Sequence, residues 1–195
     1  TTEQEAIIGQ EQKAKVKVND LVKRLIEQVA FEARGSEFVD KKSGVSARLT
    51  ISAFENAISA AERRAIINNE KQTQVWIADL AGIIPSITGK IELVYEGEQE
   101  GPYQVAMNLV DKAIRTQFTQ YFPNTDSLKK RKSTGKPSQQ AKEDDNPYRS
   151  ITSWFDKGNH LNVSFNTSDS EKTMLLYQVD GLHALVKKHF TQANE

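Results

Sequence analysis

The stretch that decides the fold is residues 42–69, KSGVSARLTISAFENAISAAERRAIINN. Its apolar side chains fall at Leu49, Ile51, Phe54, Ala57, Ile58, Ala61, Ala65 and Ile66, mostly three or four apart. That spacing predicts a long amphipathic helix with one oily face and a polar face carrying Glu55, Asn56, Glu62 and Arg63. Two starts fit the residues. Ser46 can cap a helix beginning at Ala47 and Arg48, while Ser52 with Glu55 matches a capping box six residues later. The earlier start is preferred, because Ala47, Arg48 and Leu49 continue the pattern without a breaker. Arg48 then lies in the first turn, where the helix macrodipole is least favourable to a cation. A cation in that position invites an anionic partner.

Upstream, Asn19 is a good N-cap for a helix over 20–34, with Asp20 in the first turn, a stripe from Leu21 to Ala33, and Gly35 as the stop. The two helices, joined by the short loop 36–43, read as an antiparallel pair with a shared core. Residues 1–17 are polar and read as a short helix or a frayed lead-in. Downstream, 75–84 places Trp76, Ile77, Leu80, Ile83 and Ile84 on one helical face, which Pro85 breaks. Residues 87–95 fit a helix or, through Ile91, Leu93 and Tyr95, a strand; a helix ending in an extended piece is the expectation. Residues 97–102 read as a loop, and 103–122 as a clear helix with Val105, Ala106, Leu109, Val110, Ala113, Ile114 and Phe118 inward.

The sharpest compositional break is 123–147, PNTDSLKKRKSTGKPSQQAKEDDNP. With almost no apolar side chains it cannot offset its own ordering entropy, and a mobile linker is expected. Beyond it, 148–157 looks helical and stops at Gly158. Leu161, Val163 and Phe165 alternate like a short strand. Residues 169–190 look helical with a break near Asp180 and Gly181. The expected fold is therefore mainly α: a helical bundle over 19–122 after a lead-in at 1–18, the linker, and an α-rich segment over 148–195 with at most a short strand or two.

The chain has 195 residues, a formal net charge of zero and no cysteine. Zero net charge argues for neither nucleic acid nor an anionic membrane surface as a general partner. The absence of cysteine removes disulfides, zinc thiolates and thiol chemistry, and suits a cytoplasmic protein. No apolar run approaches ~18 residues and no signal-peptide pattern opens the chain. It begins at Thr1 rather than a methionine, which reads as a fragment of a longer protein.

The segment Gly44-Val45-Ser46-Ala47-Arg48-Leu49, running into a long alanine-rich helix, resembles the sensor-2 segment of MoxR-like and magnesium-chelatase-like AAA+ ATPases. Residues 22–34 look like the first helix of that family's small lid, and 75–95 like the segment that closes it. Together with 97–118, the likeness covers 16–118 closely and 146–190 loosely. It implies an α-helical lid domain in a homo-oligomeric ring, with ATP and magnesium bound by an upstream domain of the parent protein. It also implies a von Willebrand factor A-type partner, and it makes Arg48 the residue that reaches the nucleotide phosphates. From residue 123 onward the chain departs from the general MoxR pattern.

Arg48 has a plain alternative, a surface arginine beside a carboxylate. The phosphate reading rests on a permanently charged guanidinium that grips two oxygens in parallel. Arg63 and Arg64 could line a subunit interface, but a solvated face is the preferred reading for both. No G-x-x-x-x-G-K-[ST] occurs; Gly89-Lys90 lacks both the upstream glycine and the following hydroxyl. No aspartate pair follows an apolar strand to hold magnesium, so this chain alone is not expected to hydrolyse ATP. The run Lys129, Lys130, Arg131, Lys132 with Lys136 could meet phosphate backbones in a salt-dependent way. It has no interleaved aromatic and is followed by Glu143, Asp144 and Asp145, so a solvated linker is preferred. His183 and His189 are six apart, on different helix faces, and do not pair as metal ligands; His160 stands alone. Trp154, Phe155 and Tyr177 read as core packing, with a docking surface as the second reading. Two rivals to the ATPase-lid reading remain: a free-standing helical interaction module and a nucleic-acid adaptor acting through 129–136.

Overall fold

The computed structural model describes residues 2–125 and 146–190. The protein is mainly helical. The described residues fall into two compact units, residues 2–117 with 164–169, and residues 118–125, 146–163 and 170–190.

The first unit is organised on α3 (Asp20–Gly35) and α4 (Arg48–Ile67). Asn19 is extended and its Oδ1 accepts the Val22 N–H at 2.9 Å, so α3 starts where its cap residue predicts. Its inward stripe is Val22, Leu25, Ile26, Val29, Ala30 and Ala33. The facing stripe of α4 is Leu49, Ala53, Phe54, Ala57, Ile58, Ala61 and Ala65, and its four alanines are fully enclosed. Small side chains at this spacing let neighbouring backbones approach closely. Gly82 shows how closely: a Cβ added there would lie 2.9 Å from Ala60 Cβ. The earlier of the two predicted starts for α4 is the observed one. Ser46 Oγ accepts the Arg48 N–H at 3.3 Å, and its carbonyl accepts the Leu49 N–H.

The lead-in folds onto α4. It forms α1 (Thr2–Glu5) and α2 (Gln10–Lys15) and runs along the helix in one direction. Thr2 Oγ1 donates to Thr50 Oγ1, the Ile7 N–H to Glu55 at 2.8 Å, and Gln12 Nε2 to Glu62 at 2.6 Å. The lead-in ends in β1 (Val16–Lys17), which pairs in parallel with β2 (Thr73–Gln74), Val16 opposite Thr73.

Two local expectations are corrected between 77 and 102, and one between them holds. Residues Ile77–Ile83 form a 3₁₀ helix, and α5 (Ile84–Thr88) follows with Pro85 in its first turn. Pro85 therefore opens a helix instead of breaking one, because a first-turn N–H has no intrahelical acceptor to lose. The expected helix ending in an extended piece is found: α5 stops at Thr88, and Ile91 and Leu93 are extended, bridging Val45 and Val39 in antiparallel fashion. Residues 97–102 are not a loop: α6 (Tyr95–Glu100) passes through Gly101 into α7 (Pro102–Tyr121). Gly97 is required by close approach, since a Cβ would sit 2.5 Å from the Phe38 carbonyl oxygen.

Helix α7 buries Val105, Ala106, Leu109, Val110 and Ala113 as its periodicity predicts, while Ile114 is half-buried and Phe118, expected inward, is 38% exposed. It is tied to α3 through Glu32. That carboxylate accepts from Gln28 at 2.8 Å and Thr116 at 3.0 Å, and pairs with Lys112 at 2.9 Å. Burial by itself would raise its pKa, but the bonds from Lys112, Gln28 and Thr116 outweigh burial and hold it below the ordinary glutamate value. A depressed folded-state pKa gives stability that is present above the unfolded value and lost as pH falls through the folded one. Glu32→Gln is therefore expected to be less stable than the parent at neutral pH. The gap should close as acid titration passes below about pH 4, followed by urea unfolding at each pH.

The second unit contains α8 (Arg149–Asp156), the body of α9 (Asp169–Tyr177), and α10 (Leu182–His189). Gly158 and Gly181, both at positive φ, stand where helix ends were predicted. Phe118 and Phe122 stack at 4.8 Å, Tyr121 and Phe190 likewise, and Tyr148 donates to the Pro123 carbonyl at 2.6 Å. The predicted strand at 161–165 is absent: this stretch carries no ladder, and Val163 and Phe165 are exposed. Alternation without a partner edge does not make a strand.

Candidate functional site

Two arginines of α4 define the sites of interest, one at its mouth and one near its end. Arg48 opens the helix and is exposed. Among the described residues no carboxylate lies within ion-pair distance of its guanidinium. The first turn of α4 contains no acidic residue, and the N–H groups there point the same way as the positive end of the macrodipole. Ser46 already takes the Arg48 and Leu49 N–H groups, so what this end of α4 offers an oxyanion is the exposed guanidinium, which can grip two oxygens through parallel charge-assisted hydrogen bonds.

Arg64 corrects the expectation of a solvated face. It is 1% exposed, the largest side chain so deeply buried, whereas Arg63 is exposed. Arg64 follows Ala57 and Ala61 by seven and three, which puts it on the enclosed face of α4. Nε and Nη2 grip the two oxygens of Asp79 at 3.1 and 3.0 Å. Nη2 also donates to Thr73 Oγ1 at 3.1 Å and to the Gln74 carbonyl at 2.9 Å. Nη1 donates to Asp169, and Glu70 Oε2 stands 3.6 Å from it. Burial works against the charge, but Asp79 and Asp169 prevail and raise the guanidinium pKa further. Asp79 in turn accepts the Trp76 N–H at 2.8 Å, which fixes the first turn of the 3₁₀ helix. A guanidinium enclosed this way is a structural hub; it is not available to a neighbouring subunit.

The remaining predicted positions do not converge on either arginine. The basic run Lys129–Lys136 lies outside the described residues. His160 and His183 are exposed, the latter beside Tyr177, and His189 packs on Phe122. Among the described residues no group of three or more histidine or acidic side chains could hold a metal ion. Phe155 and Tyr177 are 45% and 65% exposed, which corrects their assignment to a core; Trp154 is half-buried against Phe155. No helix among the described residues is long and apolar enough to cross a membrane. Sequence reasoning missed Asp79, Glu70 and Asp169 as partners of Arg64. The helical phase of Arg64 could have flagged the arginine, but nothing local links it to a residue 105 positions away. Compared with family models, curated proteins and solved structures, the chain matches none of them.

Proposed function

We propose that this chain is the lid and tail portion of a MoxR-like or magnesium-chelatase-like AAA+ ATPase, cytoplasmic and ring-forming, in which Arg48 meets the phosphates of ATP bound with magnesium by an upstream domain. The observation that carries this reading is the state of Arg48: exposed, with no carboxylate partner among the described residues, at the start of a twenty-residue helix, directly after Gly44-Val45-Ser46-Ala47. The family resemblance supplies the ligand, and the physical setting supports it. A helix buried along one whole face is a stiff lever, so its first residue moves only when the lid moves. An arginine on such a lever stabilises phosphate charge when the lid is closed and withdraws when it opens. The parent would couple nucleotide turnover to remodelling of a partner, a von Willebrand factor A-type protein being the one the resemblance implies. Catalysis is assigned to the upstream domain and none to this chain.

Reading the coding sequence upstream of Thr1 tests the proposal. An in-frame P-loop within ~300 codons, followed by an acidic strand able to hold magnesium, is the expected result. A stop codon with a start just before Thr1 would leave a free-standing helical module and remove the ATPase reading.

A further inference from the structure

Three carboxylates surround Arg64, and one of them, Glu70, stands just short of contact. Asp79 takes two edges of Arg64 from within the core, and Thr73 and the Gln74 carbonyl complete Nη2. Only Nη1 depends on Asp169, which comes from the short segment Ser164–Asp169. Glu70 Oε2 lies 3.6 Å from the same Nη1, and it is a buried oxygen with no hydrogen bond of its own. The other oxygen of Glu70 accepts the Asp169 N–H at 2.8 Å. One nitrogen therefore has two candidate acceptors, one engaged and one waiting.

The segment that brings Asp169 is held by polar groups. Asp169 accepts from Trp76 Nε1 at 2.7 Å, Thr73 Oγ1 at 2.8 Å and the Gln74 N–H at 3.3 Å, and the Asn166 carbonyl accepts from Asn68 at 2.7 Å. Its one large apolar side chain, Phe165, is 66% exposed, and only Thr167 is buried. Lifting the segment would expose almost no apolar surface and would trade hydrogen bonds that water can replace. Segments with few buried apolar contacts are the ones that open locally.

We infer that Arg64 and Glu70 form a partner-exchange latch: Ser164–Asp169 docks by giving Arg64 the Asp169 carboxylate, and undocks when Glu70 takes that place, with α4 and the 3₁₀ helix staying folded. Nη1 carries two N–H groups, one donated to Asp169 and the other with Glu70 Oε2 at 3.6 Å, so a carboxylate stays at this nitrogen in both states. That is what makes release possible without exposing a bare buried charge. The inference does not depend on the nucleotide reading.

Native-state hydrogen exchange on the full chain, across low concentrations of denaturant, tests it. The Thr167 and Asp169 amides should exchange through an opening at least about a hundredfold more frequent than the one exposing Ala57 and Ala61 in α4. Equal opening frequencies, with equal denaturant dependence, would overturn the latch. Asp169→Ala should speed exchange at Thr167 by roughly tenfold or more and leave the α4 amides unchanged. Loss of α4 protection in that variant, or an unprotected chain throughout, would contradict independent release. Glu70→Ala should then cost α4 more protection in the Asp169→Ala background than in the parent chain. An equal cost in both backgrounds would show that Glu70 is not the substitute acceptor. In a Trp154→Phe chain, Trp76 is the single tryptophan, and its emission should change with Asp169→Ala.

Discussion

An Arg64→Ala chain is expected to lose about 3–5 kcal/mol of stability, a large share of the roughly 5–15 kcal/mol that domains commonly have. The loss comes less from the bonds removed than from what remains. Asp79 is 5% exposed, and without the guanidinium its carboxylate keeps only the Trp76 N–H among the contacts described above. A buried carboxylate in that state either stays charged at high cost or takes up a proton, and the first turn of the 3₁₀ helix loosens with it. Arg64→Lys should fall between, since a single ammonium cannot span both Asp79 oxygens and still reach Thr73. Arg64→Met combined with Asp79→Leu should recover part of the loss, because an apolar pair leaves no orphaned charge. Urea midpoints at constant slope would read all three. Arg64→Ala unfolding within about 0.5 kcal/mol of the parent would mean that Arg64 is not a hub.

Phe54→Ala is the second large effect, with about 3–5 kcal/mol expected. Phe54 is 3% exposed on α4, in the midst of an alanine-rich face, and it belongs to the same core as Leu25, Ile26 and Val29 of α3. Alanine neighbours are short and cannot swing into the space its ring would leave. The void should therefore persist, which places the cost towards the upper part of the range for such truncations. Phe54→Leu should cost less, and comparison of the two midpoints separates void formation from loss of the ring itself.

Much of this fold was legible because its helices state their own limits. Asn19, Asp20 and Gly35 bracket α3, and Gly158 and Gly181 stand at the breaks of the second unit. Local chemistry of that kind acts within a few residues, so a sequence carries it openly. The segments around Pro85 and Gly97 were misread for the opposite reason, and the one around Leu93 was left ambiguous for it. A proline at a helix start and one inside a helix look alike until the neighbouring turn is known. Ile91 and Leu93 are extended because Val45 and Val39 offer them partners, and Gly97 is needed because Phe38 passes close by. The predicted strand at 161–165 failed on the same point, having alternation and no edge. Arg48 is notable for its first-turn position, and its phosphate assignment rests on the family resemblance. Arg64 shares the helix, the charge and the sequence neighbourhood of Arg63, and only its phase relative to Ala57 and Ala61 distinguishes the two. Its partners Asp79 and Asp169 arrive through tertiary packing, which no local spacing encodes.

The account turns on Arg48, and ATP turnover by the intact parent protein carrying Arg48→Ala measures it most directly. Loss of one charge-assisted grip on phosphate should lower turnover by about tenfold to a hundredfold, with the lid still folded by its thermal midpoint. Arg48→Lys should restore part of it, as a point charge keeps the attraction and loses the parallel bonds. Turnover and nucleotide response equal to the parent's in the folded Arg48→Ala protein would contradict the assignment and leave Arg48 a surface arginine.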